Sequence, residues 1–299
     1  MTHVKTVSRF VAGLMASRIG RSSAGAILLL FLVAGTAMLA PADADAGPVS
    51  PLYLTHQDHI DVVQGGGVVN SFPSTYGISG FSVCCDLAIA VNATVRTLGY
   101  DAGFGGGQEY TLAGVPTGTT YGGFTSGGGG AYDGTTDGLH NYTVGYFASG
   151  VVQYDSAWAN PVVLGFATDG QMGITYDPTD NTLWTSCYGC GAGVQHWTMA
   201  GALLGGFATP GGVSGADHRL ALALDHADDT LWMFNQVSGL MEHWTKGGVQ
   251  LGDGFSVAAA DVYGAETPLA GIPVPEPGTV LLLGSALAGF LLHRRWART

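Results

Sequence analysis

Positive charge is almost missing from the body of this sequence. Between residues 47 and 276 only Arg96, Arg219 and Lys246 are basic, against 20 Asp plus Glu. Such a field repels phosphate backbones and anionic headgroups, so nucleic acid is excluded as a partner. Charge of either sign is scarce, at 11%, while 46% of residues are apolar. Disordered chains show the opposite balance. Nucleophile and phosphate motifs are missing too: there is no G-x-S-x-G elbow, no H-E-x-x-H and no phosphate loop. The glycine runs Gly103–Gly107 and Gly127–Gly130 lack the lysine or the helix that a phosphate loop needs.

What is abundant is glycine, 49 of 299 residues. Glycine reaches positive φ without steric cost, so this load suits an all-β chain with many tight turns. The length allows one large domain or two small ones.

Both ends read as addresses. Residues 1–46 form a signal peptide: a basic start (Lys5, Arg9, Arg18, Arg21), an apolar run over Ala24–Ala34, and A-x-A sites at Ala42–Ala44 and Ala44–Ala46. Cleavage is expected after Ala46, by signal peptidase following export through the Sec machinery. The alternative is a permanent N-terminal anchor, for which the apolar core is short. Residues 272–299 carry Pro275-Glu276-Pro277, an apolar run Thr279–Leu292, and the basic tail Arg294, Arg295 and Arg298. The prolines block a helix across the motif and keep it extended for a protease. The helix that follows would span about 22 Å at 1.5 Å per residue, short for a hydrocarbon core of about 30 Å. The basic tail stays on the cytoplasmic side.

This ending resembles the PEP-CTERM sorting segment of Gram-negative bacteria. The resemblance implies an inner-membrane intermediate, recognition of Pro275, Glu276 and Pro277 by an exosortase, and release to the cell surface or extracellular matrix, in association with exopolysaccharide.

Residues 47–271 contain a repeat. Gly173–Trp184, Val194–Gly201 and Gly206–Thr209 align with Leu222–Trp232, Met241–Gly247 and Gly254–Ser256. Weaker copies place Tyr110 and Tyr154 where Trp197 stands, and close on Phe72, Phe124, Phe166, Phe207 and Phe255. The fourth copy reads as strands Gly173–Asp177, Thr182–Ser186, Val194–Met199 and Leu203–Thr209. Four short strands in 40–50 residues is the blade of a β-propeller. The pattern resembles irregular NHL-like propellers. It lacks the Trp-Asp dipeptide of the WD type. The first copy lacks an innermost strand, and Ala260–Glu266 is expected to supply it and close five blades. A six-bladed ring is the alternative.

In that topology the loops between strands two and three share a rim with the loops between blades. His56, Asp58 and His59, the pair Cys84 and Cys85, the sequence Cys187-Tyr188-Gly-Cys190, and Asp217 with His218 all fall on it. Ligand sites favour loops on a rigid scaffold, so this rim is the expected site. Cys187 and Cys190 are expected to form a disulfide, which export permits. A four-thiolate zinc site needs both cysteine pairs together, yet they belong to blades nearly opposite in the ring. No metal and no cofactor is therefore expected, although a bound divalent cation stays open. His56, Asp58 and His59 offer imidazole and carboxylate ligands, but read first as a solvated loop. His196 and His243 recur with the repeat and read as packing residues, with Trp197 and Trp244 buried between blades. Asp180-Asn181 and Asp228-Asp229 read as turns.

The expected function is a non-enzymatic surface or matrix module that binds polysaccharide, protein or cations, with no catalytic residue assigned. The alternative is a metal-assisted lactonase or lyase. At least three inward Asp, Glu, Asn or His side chains in the central channel would favour the enzyme. An apolar or glycine plug would favour the binder.

Overall fold

Residues 47–74, 86–101, 106–126, 130–145, 150–168, 170–210, 218–257 and 262–269 are described by a computed structural model. The signal segment, Cys84, Cys85, Asp217, Pro275, Glu276, Pro277 and the C-terminal apolar run lie outside these residues. Among the described residues there is no helix, and twenty strands form five four-stranded sheets.

The first sheet joins the two ends of the domain. β20 (Gly264–Glu266) pairs antiparallel with β1 (Leu52–Thr55), followed by β2 (His59–Gln64) and β3 (Gly67–Pro73). The second contains β4 (Asp86–Val91), β5 (Thr94–Gly99), β6 (Gln108–Thr111) and β7 (Pro116–Thr120). The third holds β8 (Ala131–Thr136), β9 (His140–Gly145), β10 (Gly150–Asp155) and β11 (Val162–Val163). The fourth is β12 (Gln171–Asp177), β13 (Thr182–Cys187), β14 (Val194–Thr198) and β15 (Leu203–Phe207). The fifth is β16 (Arg219–Asp225), β17 (Thr230–Asn235), β18 (Leu240–Thr245) and β19 (Phe255–Ser256). The inner strands β20, β4, β8, β12 and β16 each touch the next around the ring. The fold is a five-bladed β-propeller, closed by the strand expected to complete the first blade. Closure removes sheet edges that would otherwise invite pairing with other chains.

Burial falls from the centre outwards. β4, β12 and β16 are buried at every residue, whereas β7 and β11 are exposed at every residue. An inner strand has protein on both faces, so its sequence is a continuous apolar or small run. The apolar side chains gather between blades. Ile60 and Phe72 of the first blade meet Ile89, Val95 and Tyr110 of the second, and Leu52 and Leu54 meet Trp232 and Phe234 of the fifth.

One contact recurs from blade to blade. The closing phenylalanine of one blade packs on the third-strand aromatic of the next: Phe72 on Tyr110, Phe166 on Trp197 and Phe207 on Trp244, with centroids 5.2, 5.4 and 5.6 Å apart. Four residues after each aromatic stands a glycine: Gly114, Gly201 and Gly248, at φ +83, +83 and +82°. A Cβ there would come within 2.3 to 2.6 Å of the phenylalanine ring. Glycine is required twice over, by the backbone sign and by the close approach. Trp244 is buried as expected, at 3% exposure. Trp197 is only partly buried, because its outer edge lies beside β15, whose residues are mostly exposed.

The three cations of the domain serve the frame. Arg96 Nη1 donates to the Ser156 carbonyl of the third blade at 2.5 Å. Arg219 forms a buried ion pair with Glu242, Nη2 to Oε2 at 3.0 Å. Lys246 joins the fifth blade to the fourth through Asp177 Oδ2, at 2.8 Å, and also pairs with Asp229.

Candidate functional site

The residue directly after strand two of each blade falls at one level of one rim: His56, Tyr100, Tyr188 and Gln236, with residue 146 of the third blade outside the described residues. Tyr132, near the start of β8, and Tyr263, just before β20, join them. All of these but His56 gather at the mouth of the central channel. A cavity of about 140 Å³ is lined there by Tyr132, Met172, Tyr188, Leu220, Gln236 and Tyr263.

The rings are mutually braced. Tyr100 and Tyr132 meet edge to face at 5.2 Å, and Tyr132 lies 5.9 Å from Tyr263. Tyr188 stacks on His218 at 4.7 Å and 17°, and the two residues form an isolated bridge. Polar tips are held as well: Tyr188 donates its hydroxyl to Gln236 Oε1 at 3.2 Å, and Gln57 Nε2 donates to the Tyr263 hydroxyl at 3.2 Å. The floor is apolar, from Leu220 and Met172. Each tyrosine is half-buried. The mouth thus offers flat apolar faces ringed by hydroxyl and amide groups.

Below the mouth the channel is filled. The Asp133 carboxylate accepts backbone N–H bonds from four blades: Gly134 and Ala265 on Oδ1 at 2.8 and 2.9 Å, Ile174 and Leu222 on Oδ2 at 3.0 and 2.8 Å. A second layer places Thr135 Oγ1 under the Tyr176 N–H and Thr175 Oγ1 under the Leu224 N–H. Glu266 bonds to both threonines in that layer. Burial pushes both carboxyls well above the usual range. For Asp133 the four N–H donors pull the other way, whereas for Glu266 the neighbouring Asp133 charge adds to the rise. The four N–H donors favour the charged form of Asp133, whereas burial and the neighbouring Asp133 charge both favour the neutral form of Glu266. The channel therefore meets neither of the conditions set out from sequence. Among the described residues it has two buried carboxylates amid threonines, Asp133 and Glu266, and both serve blade-to-blade hydrogen bonding.

The loop between β1 and β2 is not uniformly solvated. Asp58 is exposed, but His56 is 2% exposed and stacks on His59 at 4.2 Å and 7°. The apolar surroundings at the end of β1 draw in the first imidazole and leave the second at the surface. Cys187 and Cys190 are disulfide-bonded with Cα atoms 5.7 Å apart, beside the mouth residue Tyr188. His196 and His243 lie flat on Trp184 and Trp232, at 3.9 and 4.1 Å, and their Nε2 atoms meet Thr182 and Thr230 Oγ1 at 2.7 Å. Asn181 and Asp229 hold the positive φ of their turns. Of the rim residues named from sequence, the structure brings Tyr188 and His218 to the mouth and gathers His56, Asp58 and His59 in a separate cluster. Tyr100, Tyr132, Gln236 and Tyr263 were missed. The position after strand two was the signal available for Tyr100 and Gln236.

Residues 273–295 match the PEP-CTERM protein-sorting motif. No curated protein matches the chain. Among solved structures, a chain of the nidogen/laminin complex is similar over 75% of this chain and all of its own, at 11% identity and a TM-score of 0.47. An inactive variant of virginiamycin B lyase from Staphylococcus aureus, solved with quinupristin, is similar over 58% of this chain and 56% of its own, at 16% identity and 0.40. A functionally unknown protein from Desulfotomaculum acetoxidans is similar over 72% and 75%, at 16% identity and 0.39. Likenesses of this size carry no argument about activity. The sorting motif makes the chain an exported protein handled by an exosortase and destined for the cell surface.

Proposed function

We propose that the propeller is a non-enzymatic binding module, and that its tyrosine mouth holds a sugar unit of an extracellular polysaccharide. One observation carries this reading: Tyr132, Tyr188 and Tyr263 line one cavity with Gln236, braced from outside by Tyr100 on Tyr132 and by Gln57 on the Tyr263 hydroxyl. Sugar rings present apolar C–H faces and a rim of hydroxyls. Aromatic faces bordered by amides and phenols complement both. The acidic surface, with its cations committed to the frame, suits a neutral glycan better than an anionic one. The rival, a metal-assisted lactonase or lyase, calls on channel carboxylates, but Asp133 and Glu266 are buried and engaged with the frame. On this reading the chain passes the Sec machinery and signal peptidase. It is held in the inner membrane by residues 272–299, then cut at Pro275-Glu276-Pro277 and released to the matrix of a Gram-negative cell. Glycan-array screening of the full chain, followed by calorimetry, tests the mouth. Tyr188→Ala and Tyr263→Ala are each expected to weaken the selected glycan by at least about tenfold, or ~1.4 kcal/mol. Unchanged affinity in both variants would rule the mouth out.

A further inference from the structure

We infer that His56, His59 and Asp61 form a binding site for one transition-metal dication of the zinc class. The inference is independent of what the mouth binds. Both histidine Nε2 atoms lie near Asp61 Oδ2, at 3.5 Å for His56 and 3.6 Å for His59. The three ligand atoms all lie within 4.8 Å of one another. A tetrahedral ion with bonds of about 2.0–2.2 Å sets its ligands roughly 3.3–3.6 Å apart. The two distances to Asp61 already have that value.

Local structure holds the set in place. The chain turns tightly between β1 and β2, with the His56 N–H donating to the His59 carbonyl at 2.9 Å. That turn brings two imidazoles three residues apart into a parallel stack at 4.2 Å, from which the more exposed His59 tilts to bring an ion into the plane of both rings. Asp61 lies on β2 opposite Leu54, two residues after His59. Its side chain is 14% exposed, against 32% for His59. His59 therefore lies on the solvent side of the set and His56 on its buried side.

A fourth residue sets the tautomer. Asp58 Oδ1 lies 2.5 Å from His59 Nδ1. A carboxylate on Nδ1 keeps the proton there and leaves the Nε2 lone pair for an ion. Metal-binding histidines are commonly oriented this way. Two imidazoles and one carboxylate suit Zn²⁺ and its first-row neighbours. Ca²⁺ and Mg²⁺ need six or more oxygen ligands and are not expected here.

The probe is Co²⁺, added to the full chain in detergent and followed by visible absorption. One equivalent should give the bands of a four- or five-coordinate ion, resistant to excess Ca²⁺ and displaced by Zn²⁺. His59→Ala with Asp61→Asn should abolish the bands. Asp58→Asn should keep them and weaken affinity by about 10–100-fold. Zn²⁺ added to wild-type protein should shift the Nε2 resonances of His56 and His59 in nitrogen NMR. This second readout needs no variant to fold. Absence of the Co²⁺ bands, their survival in the double variant, or a response confined to other histidines overturns the site.

Discussion

Gly201 of the fourth blade rests on the ring of Phe166 in the third, where an added Cβ would stand 2.6 Å from Cδ1. The same pair recurs as Gly114 on Phe72 and Gly248 on Phe207. A glycine and a phenylalanine 35 to 42 residues apart thus set how closely successive blades approach.

Gly201→Ala is expected to cost about 3 kcal/mol, from the left-handed backbone and from overpacking together. Gly65, at φ +58°, has open space where its Cβ would stand. Gly65→Ala should cost only about 1 kcal/mol. Denaturant melts of the two variants check the difference; equal losses would show that the ring contact is slack.

Glu242 neutralises a guanidinium that is 4% exposed. It also accepts from Asn235 Nδ2 at 2.7 Å and Trp244 Nε1 at 3.2 Å. Glu242→Ala should destabilise the domain by about 3–5 kcal/mol, because Arg219 is left buried and uncompensated. Pairing it with Arg219→Met should recover much of the loss. A single-variant cost below about 1 kcal/mol would mean that water reaches the arginine.

The channel pair predicts a direction for pH dependence. Its raised folded pKa means that the folded state keeps a proton which the unfolded chain releases above about pH 4.5. The folded state then binds more protons than the unfolded one, so stability falls as pH rises from there towards the folded pKa. Glu266→Gln keeps a neutral side chain and removes this titration. The variant's melting temperature should vary less between pH 5 and 8, and lie above wild type at pH 8. Parallel curves would place the proton elsewhere.

Sorting depends on a segment apart from the ring. If the carboxylate between two prolines is what the exosortase recognises, Glu276→Ala leaves full-length protein in the membrane fraction. Intact-mass analysis of membrane and surface fractions reads the outcome. Normal release of the variant would move recognition to other residues.

The repeat was legible because its marks are large: Trp184 and Trp232, the turns at Asp180-Asn181 and Asp228-Asp229, and the closing phenylalanines. Ring closure followed from counting strands in the first copy. The second blade was harder. β4 is a continuous buried run, Asp-Leu-Ala-Ile-Ala-Val, and β7, Pro-Thr-Gly-Thr-Thr, is wholly exposed, so neither alternates. The mouth was only half legible. Tyr132 and Tyr263 are carried by strand starts, and their convergence depends on ring geometry that pairwise spacing does not contain. Asp133 has no local signature either. Its four donors come from residues 134, 174, 222 and 265.

The strand that closes the ring also sets an orientation. β20 begins beside Tyr263 at the mouth, and the chain leaves at the opposite end, where the Leu269 N–H reaches the Val91 carbonyl at 3.1 Å. The sorting motif starts at residue 273. Whatever follows Leu269 therefore leaves the propeller from the face opposite the tyrosine opening. Chain exit and opening are thus kept apart by the full depth of the ring, and the exit leaves the tyrosines uncovered.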